Sequence, residues 1–173
     1  MPQQQAILDV GRASNELTRL VHHVNNATGE KALRKFAVWC TRQMDAPWKP
    51  EVYTMMKLAE DAIAGEADRR ELQSMYDDME GAAIAAESVE VYSQETYAPV
   101  LLASRGCINP DAERGALDAS ENLHQYWRII LQYEITDLGD DDKQTVIENR
   151  IQTMRQYEID QLLDLLTDRP STN

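Results

Sequence analysis

Apolar residues recur at helical spacing along almost the whole chain, and turn residues cut that pattern into pieces of helix length. No segment shows the strict alternation of a half-buried strand, and no hairpin signal joins two such segments. A chain patterned this way has to bury helix stripes against one another. The expected fold is all-α: a single-domain helical bundle or short helical array of about six or seven helices. One domain is expected over residues 1–168, with 169–173 as a C-terminal tail.

The punctuation places the elements. Ile7, Val10, Leu17, Leu20, Val21 and Val24 mark a first helix over 6–26, closed by Asn25, Asn26 and Gly29. A second runs from Glu30 to Met44, before Pro47 and Pro50. Pro50 suits the first turn of a third helix, which ends at Gly65, a good C-cap residue. Asp68 and Glu71 have capping-box spacing and open a long Ala-rich piece to Thr96. Pro99 lacks an N–H and should bend or break the chain there, with a short helix following to Ser104. Asn109, Pro110 and Asp111 read as N-cap, N1 and first-turn acid of a helix reaching Leu138. After Gly139 a last helix runs to Thr167, with Ile147, Ile151, Met154, Leu162, Leu165 and Leu166 on its apolar side.

The stretch KALRKFAVWC, residues 31–40, combines basic and aromatic residues, a composition shared with nucleic-acid contacts. On a helix, however, Leu33, Phe36, Ala37 and Cys40 form one stripe. Phe36 and Cys40 should therefore be buried, while Lys31, Arg34, Lys35 and Arg42 form a solvated flank. Charge elsewhere opposes nucleic acid. Residues 1–50 carry a net +3, residues 51–173 a net −16, and the whole chain −13. The expectation is no direct nucleic-acid binding, and attraction instead to a protein with a basic surface. Hydrophobic residues at 43% and charged residues at 27% are ordinary globular values, which sets aside a disordered acidic tail.

No apolar run reaches the roughly 18 residues that cross a bilayer, so no membrane association is expected. MPQQQAILDV has no basic segment followed by an apolar stretch, and no secretory signal is read there. A cytoplasmic location follows as an expectation, with Cys40 and Cys107 reduced and buried. Homo-oligomers are compatible with these features.

The order R-K-F-A-x-x-C (Arg34, Lys35, Phe36, Ala37, Cys40), then A-E-D-A-I-A-G-E at 59–66 and an Ala-rich helix, resembles Ala-rich helical bacterial proteins labelled as immunity proteins. The resemblance covers about residues 31–127 and rests on packing motifs. It implies a helical array and no known chemistry, and the acidic last helix lies outside it.

Chemistry-bearing patterns are few. Glu121 and His124 form an ExxH on one helix face, but a di-iron bundle needs two such pairs and two further Glu, and only His22 and His23 remain. No metal site is expected from them. Glu87 with Glu90, and Glu134 with Asp137, resemble the Mg²⁺-binding carboxylates of all-α nucleotide pyrophosphohydrolases. That resemblance implies a metal-dependent hydrolase as the alternative function, with these four residues catalytic and Mg²⁺ as cofactor. The two motifs stand much further apart here than in that family. Asp137–Asp142 lacks the EF-hand pattern and reads as a solvated acidic turn. No nucleophile motif appears, so no catalytic residue and no cofactor is expected in the leading reading. That reading is a non-enzymatic acidic interaction module, of immunity or antidefence-inhibitor type. Asp137, Asp140, Asp141, Asp142, Glu158, Asp160 and Asp164 are its expected partner-binding residues.

Overall fold

A computed structural model of the protein describes residues 16–23, 29–88 and 96–167. Among these the fold is all-α, with no strand. Helical residues 16–23 (α1) are followed by α2 (Gly29–Arg42), α3 (Pro50–Ala64), α4 (Arg69–Asp78), α5 (Glu80–Ser88), α6 (Tyr97–Cys107), α7 (Ala112–Glu134) and α8 (Asp140–Thr167). The outer parts of the expected first helix, residues 89–95 of the Ala-rich piece and the tail 169–173 lie outside the described residues.

The α2 helix lies at the centre, packed against α3, α6, α7 and α8. Its stripe goes inward as its periodicity requires: Leu33, Phe36 and Cys40 are fully buried and Ala37 nearly so. Phe36 stacks on Trp39 with centroids 6.0 Å apart, and Trp39 meets Tyr157 of α8 edge-on at 5.4 Å. The main core gathers Leu17 and Val21 of α1, Val52, Met55 and Met56 of α3, and Leu123 and Tyr126 of α7 with Ile159 and Leu162 of α8. A smaller cluster of Leu131, Ile147 and Ile151 closes the α7–α8 end.

Arg34 is the exception to the expected basic flank. It is buried, and its Nη1 donates to the carbonyls of Cys107 (2.7 Å) and Asn109 (3.1 Å). The last carbonyls of a helix have no partner within it. Arg34 supplies one from α2 and ties that helix to the α6–α7 turn. Spacing alone placed Arg34 off the stripe; a carbonyl-rich turn packed beside it drew it in.

The α6–α7 hairpin closes where two glycines meet. A Cβ on Gly106 would stand 2.8 Å from the Gly115 carbonyl oxygen, and a Cβ on Gly115 would collide with the Gly106 carbonyl. Only glycine on both sides permits this approach.

Several boundaries differ from expectation. The cap of α7 is Asp111, whose Oδ1 accepts from the N–H groups of Glu113 and Arg114. Asn109 instead accepts from Asp111 N through its side chain, while its carbonyl is taken by Arg34. The helix ends at Glu134 rather than Leu138, because Ile135 turns extended and packs onto the smaller cluster. The long Ala-rich helix is two, parted at Met79 beside Gly81, a weak helix former. Pro99 falls in the first turn of α6, where its missing N–H would have had no helical partner, so it neither bends nor breaks that helix, which continues to Cys107. Gly65 ends α3 at φ 84°, and Asp68 with Glu71 forms the complete capping box.

Candidate functional site

Two groups of polar residues stand out, one at the surface and one in the core. The surface group lies at the end of the bundle where α7 turns into α8. Glu134, Asp137, Asp140, Asp141 and Asp142 are all exposed there. The last three occupy the first turn of α8, where carboxylates complement the helix dipole. That dipole amounts to about half a positive charge. Three carboxylates exceed it, and among the described residues no Lys or Arg forms an ion pair with Asp137, Asp140, Asp141 or Asp142. Further along α8, Asp160 is exposed and Asp164 half-buried.

Glu158 does not belong to this surface. It is fully buried, which corrects its assignment as a partner contact. Ile151, Arg155, Glu158 and Leu162 fall at i, i+4, i+7 and i+11, so they share the face of α8 that meets the core, and all four are buried. The signal was present in the spacing from Ile151 and Leu162. It is overlooked when α8 is read for its acids alone.

Around Glu158 lies the core group. Its Oε2 is 2.7 Å from His124 Nε2, and its Oε1 accepts from Ser120 Oγ at 3.2 Å, both on α7. Cys40 of α2 directs its thiol to Oε1 at 4.0 Å. One carboxylate on α8 thus gathers groups from two other helices. Burial and the carboxylate opposite push the Cys40 thiol well above its ordinary pKa. It is a protonated donor and not the thiolate that nucleophilic chemistry requires. Ser120 is not activated either. In a Ser–His–acid relay the imidazole stands between hydroxyl and carboxylate. Here the carboxylate stands between hydroxyl and imidazole, so the imidazole does not reach Ser120, whose hydroxyl meets only the Glu158 carboxylate that His124 already engages. The arrangement fastens helices and does not make a nucleophile.

The His124 pKa is the outcome of opposing effects. Burial draws it down, while Glu121 and Glu158 hold the proton on, and the net direction is upward from 6.5. Glu121 Oε2 sits 3.8 Å from Nδ1, the long arm of the expected ExxH. His22 pairs with Glu113 on α7, eleven residues before His124 or about 16 Å along the helix, and His23 is exposed. The described residues include no group of three or more His, Cys, Asp or Glu side chains placed to hold a metal ion.

For the hydrolase alternative, Glu134 and Asp137 are exposed at the end of α7 and in the turn beyond it. The side chain of Glu87 and the whole of Glu90 lie outside the described residues. No described helix is long and apolar enough to cross a membrane.

No protein-family model matches the chain, and neither a curated protein nor a solved structure matches it.

Proposed function

We propose that the protein is a non-enzymatic interaction module that presents the acidic α7–α8 end to a basic surface of a partner protein in the cytoplasm. The observation that carries this reading is the group Asp137, Asp140, Asp141 and Asp142, exposed together and without a cationic partner among the described residues. Unpaired like charges at one end of a domain cost some self-repulsion and offer a field that steers an oppositely charged protein. Asp160 extends the surface along α8, while Glu158 has no part in it. The resemblance of residues 31–127 to immunity-type proteins points to an inhibitor that occupies its target.

The test is kinetic. A partner captured from native lysate is purified and its association rate measured as salt rises. The Debye length shrinks from about 10 Å at 0.1 M to about 3 Å at 1 M, so steering by these carboxylates should fade over that range. Replacing Asp140, Asp141 and Asp142 together by Asn should slow association at low salt and remove most of its salt dependence. An on-rate indifferent both to salt and to these substitutions would leave the charge with solubility as its only role.

A further inference from the structure

We infer that a polar cleft between α4, α6 and α7, remote in character from the acidic end, binds a small oxyanion, carboxylate or phosphate. The cleft has a volume of about 280 Å³ and is lined by Tyr76, Arg105, Gly106, Arg114, Asp118 and Asn122, with Leu102 at its edge. That is slightly below the range of drug-sized ligand pockets and suits a compact ion or one terminal group of a larger ligand.

The lining itself carries two guanidinium groups and one carboxylate in a protein of net charge −13, with the Asp111 carboxylate also acting on Asp118 from nearby. Both Arg114 and Arg105 act electrostatically on Asp118, so the three groups converge on one space. Burial nevertheless dominates at Asp118 and holds its pKa above the ordinary value.

The two arginines have donors to spare. Arg105 is held in place: its guanidinium lies 3.8 Å over the Tyr76 ring, and its Nε donates to the Tyr76 carbonyl at 3.2 Å. Neither terminal nitrogen of Arg105 is engaged among the described residues. Arg114 approaches Asp118 only to 4.0 Å, beyond hydrogen-bond distance, and its side chain is 75% exposed. Guanidinium forks short of acceptors are a usual means of holding an oxyanion, since parallel N–H groups match its oxygens. Asn122 has one amide N–H already engaged, because it donates to the Asp118 carbonyl at 2.8 Å. Asp118 is the one lining group that opposes an anion. It sets the sign of the decisive test.

Amide chemical shifts are followed while the protein is titrated with sodium phosphate or sodium acetate, at ionic strength held constant with sodium chloride. The expected result is saturable shifts confined to the neighbourhood of Arg105, Gly106, Arg114 and Asp118. Saturation with phosphate alone identifies a tetrahedral oxyanion, with acetate alone a carboxylate, and with both a site that reads charge. R114A should weaken the interaction about tenfold or more, the loss expected for hydrogen bonds to a charged group. R105K, which keeps the charge but loses the stacked fork, should weaken it less. D118N should tighten it. A purely structural cleft would show no gain with D118N. Non-saturating shifts with both anions, or an affinity that D118N fails to raise, overturns the inference. None of these outcomes depends on a protein partner, so the acidic-end reading stands or falls separately.

Discussion

His124 on α7 and Glu158 on α8 face each other at 2.7 Å inside the core, 2% and 0% exposed. A buried ion pair carries a desolvation cost that its attraction only offsets when the remaining lone pairs are satisfied. Ser120 and Cys40 meet that condition for Glu158. The pair thereby fixes how α8 sits on α7 and α2, because a shift of α8 by one residue turns its side chains by about 100° and would part Glu158 from His124.

Removing one partner should accordingly cost far more than removing both. Glu158→Ala leaves the buried imidazole and the Ser120 hydroxyl without their acceptor, and His124→Ala strands the carboxylate. Each is expected to destabilise by about 3–5 kcal/mol. The double replacement His124→Leu with Glu158→Leu should recover most of that loss. Urea denaturation of the three variants provides the comparison; a double variant as unstable as the sum of the singles would show that the pair is not acting as a unit.

Stability should fall as pH rises. The folded-state pKa of His124 lies above 6.5, so the pair's contribution is complete below pH 6.5 and drains away as pH climbs through the raised value. The groups near the imidazole are Ser120, Glu121 and Arg128 on α7, Cys40 on α2, and Arg155 and Glu158 on α8. The melting temperature is expected to decline between pH 6 and 9, and Glu158→Gln should flatten the decline. A melting temperature that instead rises across this interval contradicts the assignment.

Both thiols should be silent in the native protein. Cys40 and Cys107 are free and fully buried, and burial pushes the Cys107 thiol up to about 12. Thiol-specific reagent at neutral pH should label neither cysteine until denaturant is added, and then both. Rapid labelling of either under native conditions would mean that the α2–α6 core opens more readily than its packing implies.

Two substitutions probe packing at its tightest. Phe36→Ala should cost about 3–5 kcal/mol, because the ring is fully buried between α2 and its neighbours. Gly106→Ala places a methyl group 2.8 Å from a backbone oxygen that no rotamer change can move. The helices must separate, at a cost of about 1–3 kcal/mol or more. Gly81→Ala has open space around it and should be neutral or mildly stabilising. Equal melting temperatures for the Gly106 and Gly81 variants would refute the close approach of α6 and α7.

By itself the sequence determined whatever depends on neighbours along the chain. Period and punctuation specified an all-α fold, the inward stripe of Leu33, Phe36 and Cys40, the capping box at Asp68 and the stop at Gly65, since each is settled within about one or two helical turns. The exposed carboxylates of the α7–α8 turn were legible for the same reason. Tertiary structure decided what depends on partners far away in the chain. Arg34 is buried because carbonyls 73 and 75 residues later need a donor, and Glu158 because Ser120, His124 and Cys40 lie opposite it. Gly106 and Gly115 are required only because two helices touch there. A charged side chain reads as solvated when its spacing alone is considered. It goes inside where the fold assembles enough hydrogen-bonding partners to offset its lost hydration, and those partners become neighbours only when the helices pack.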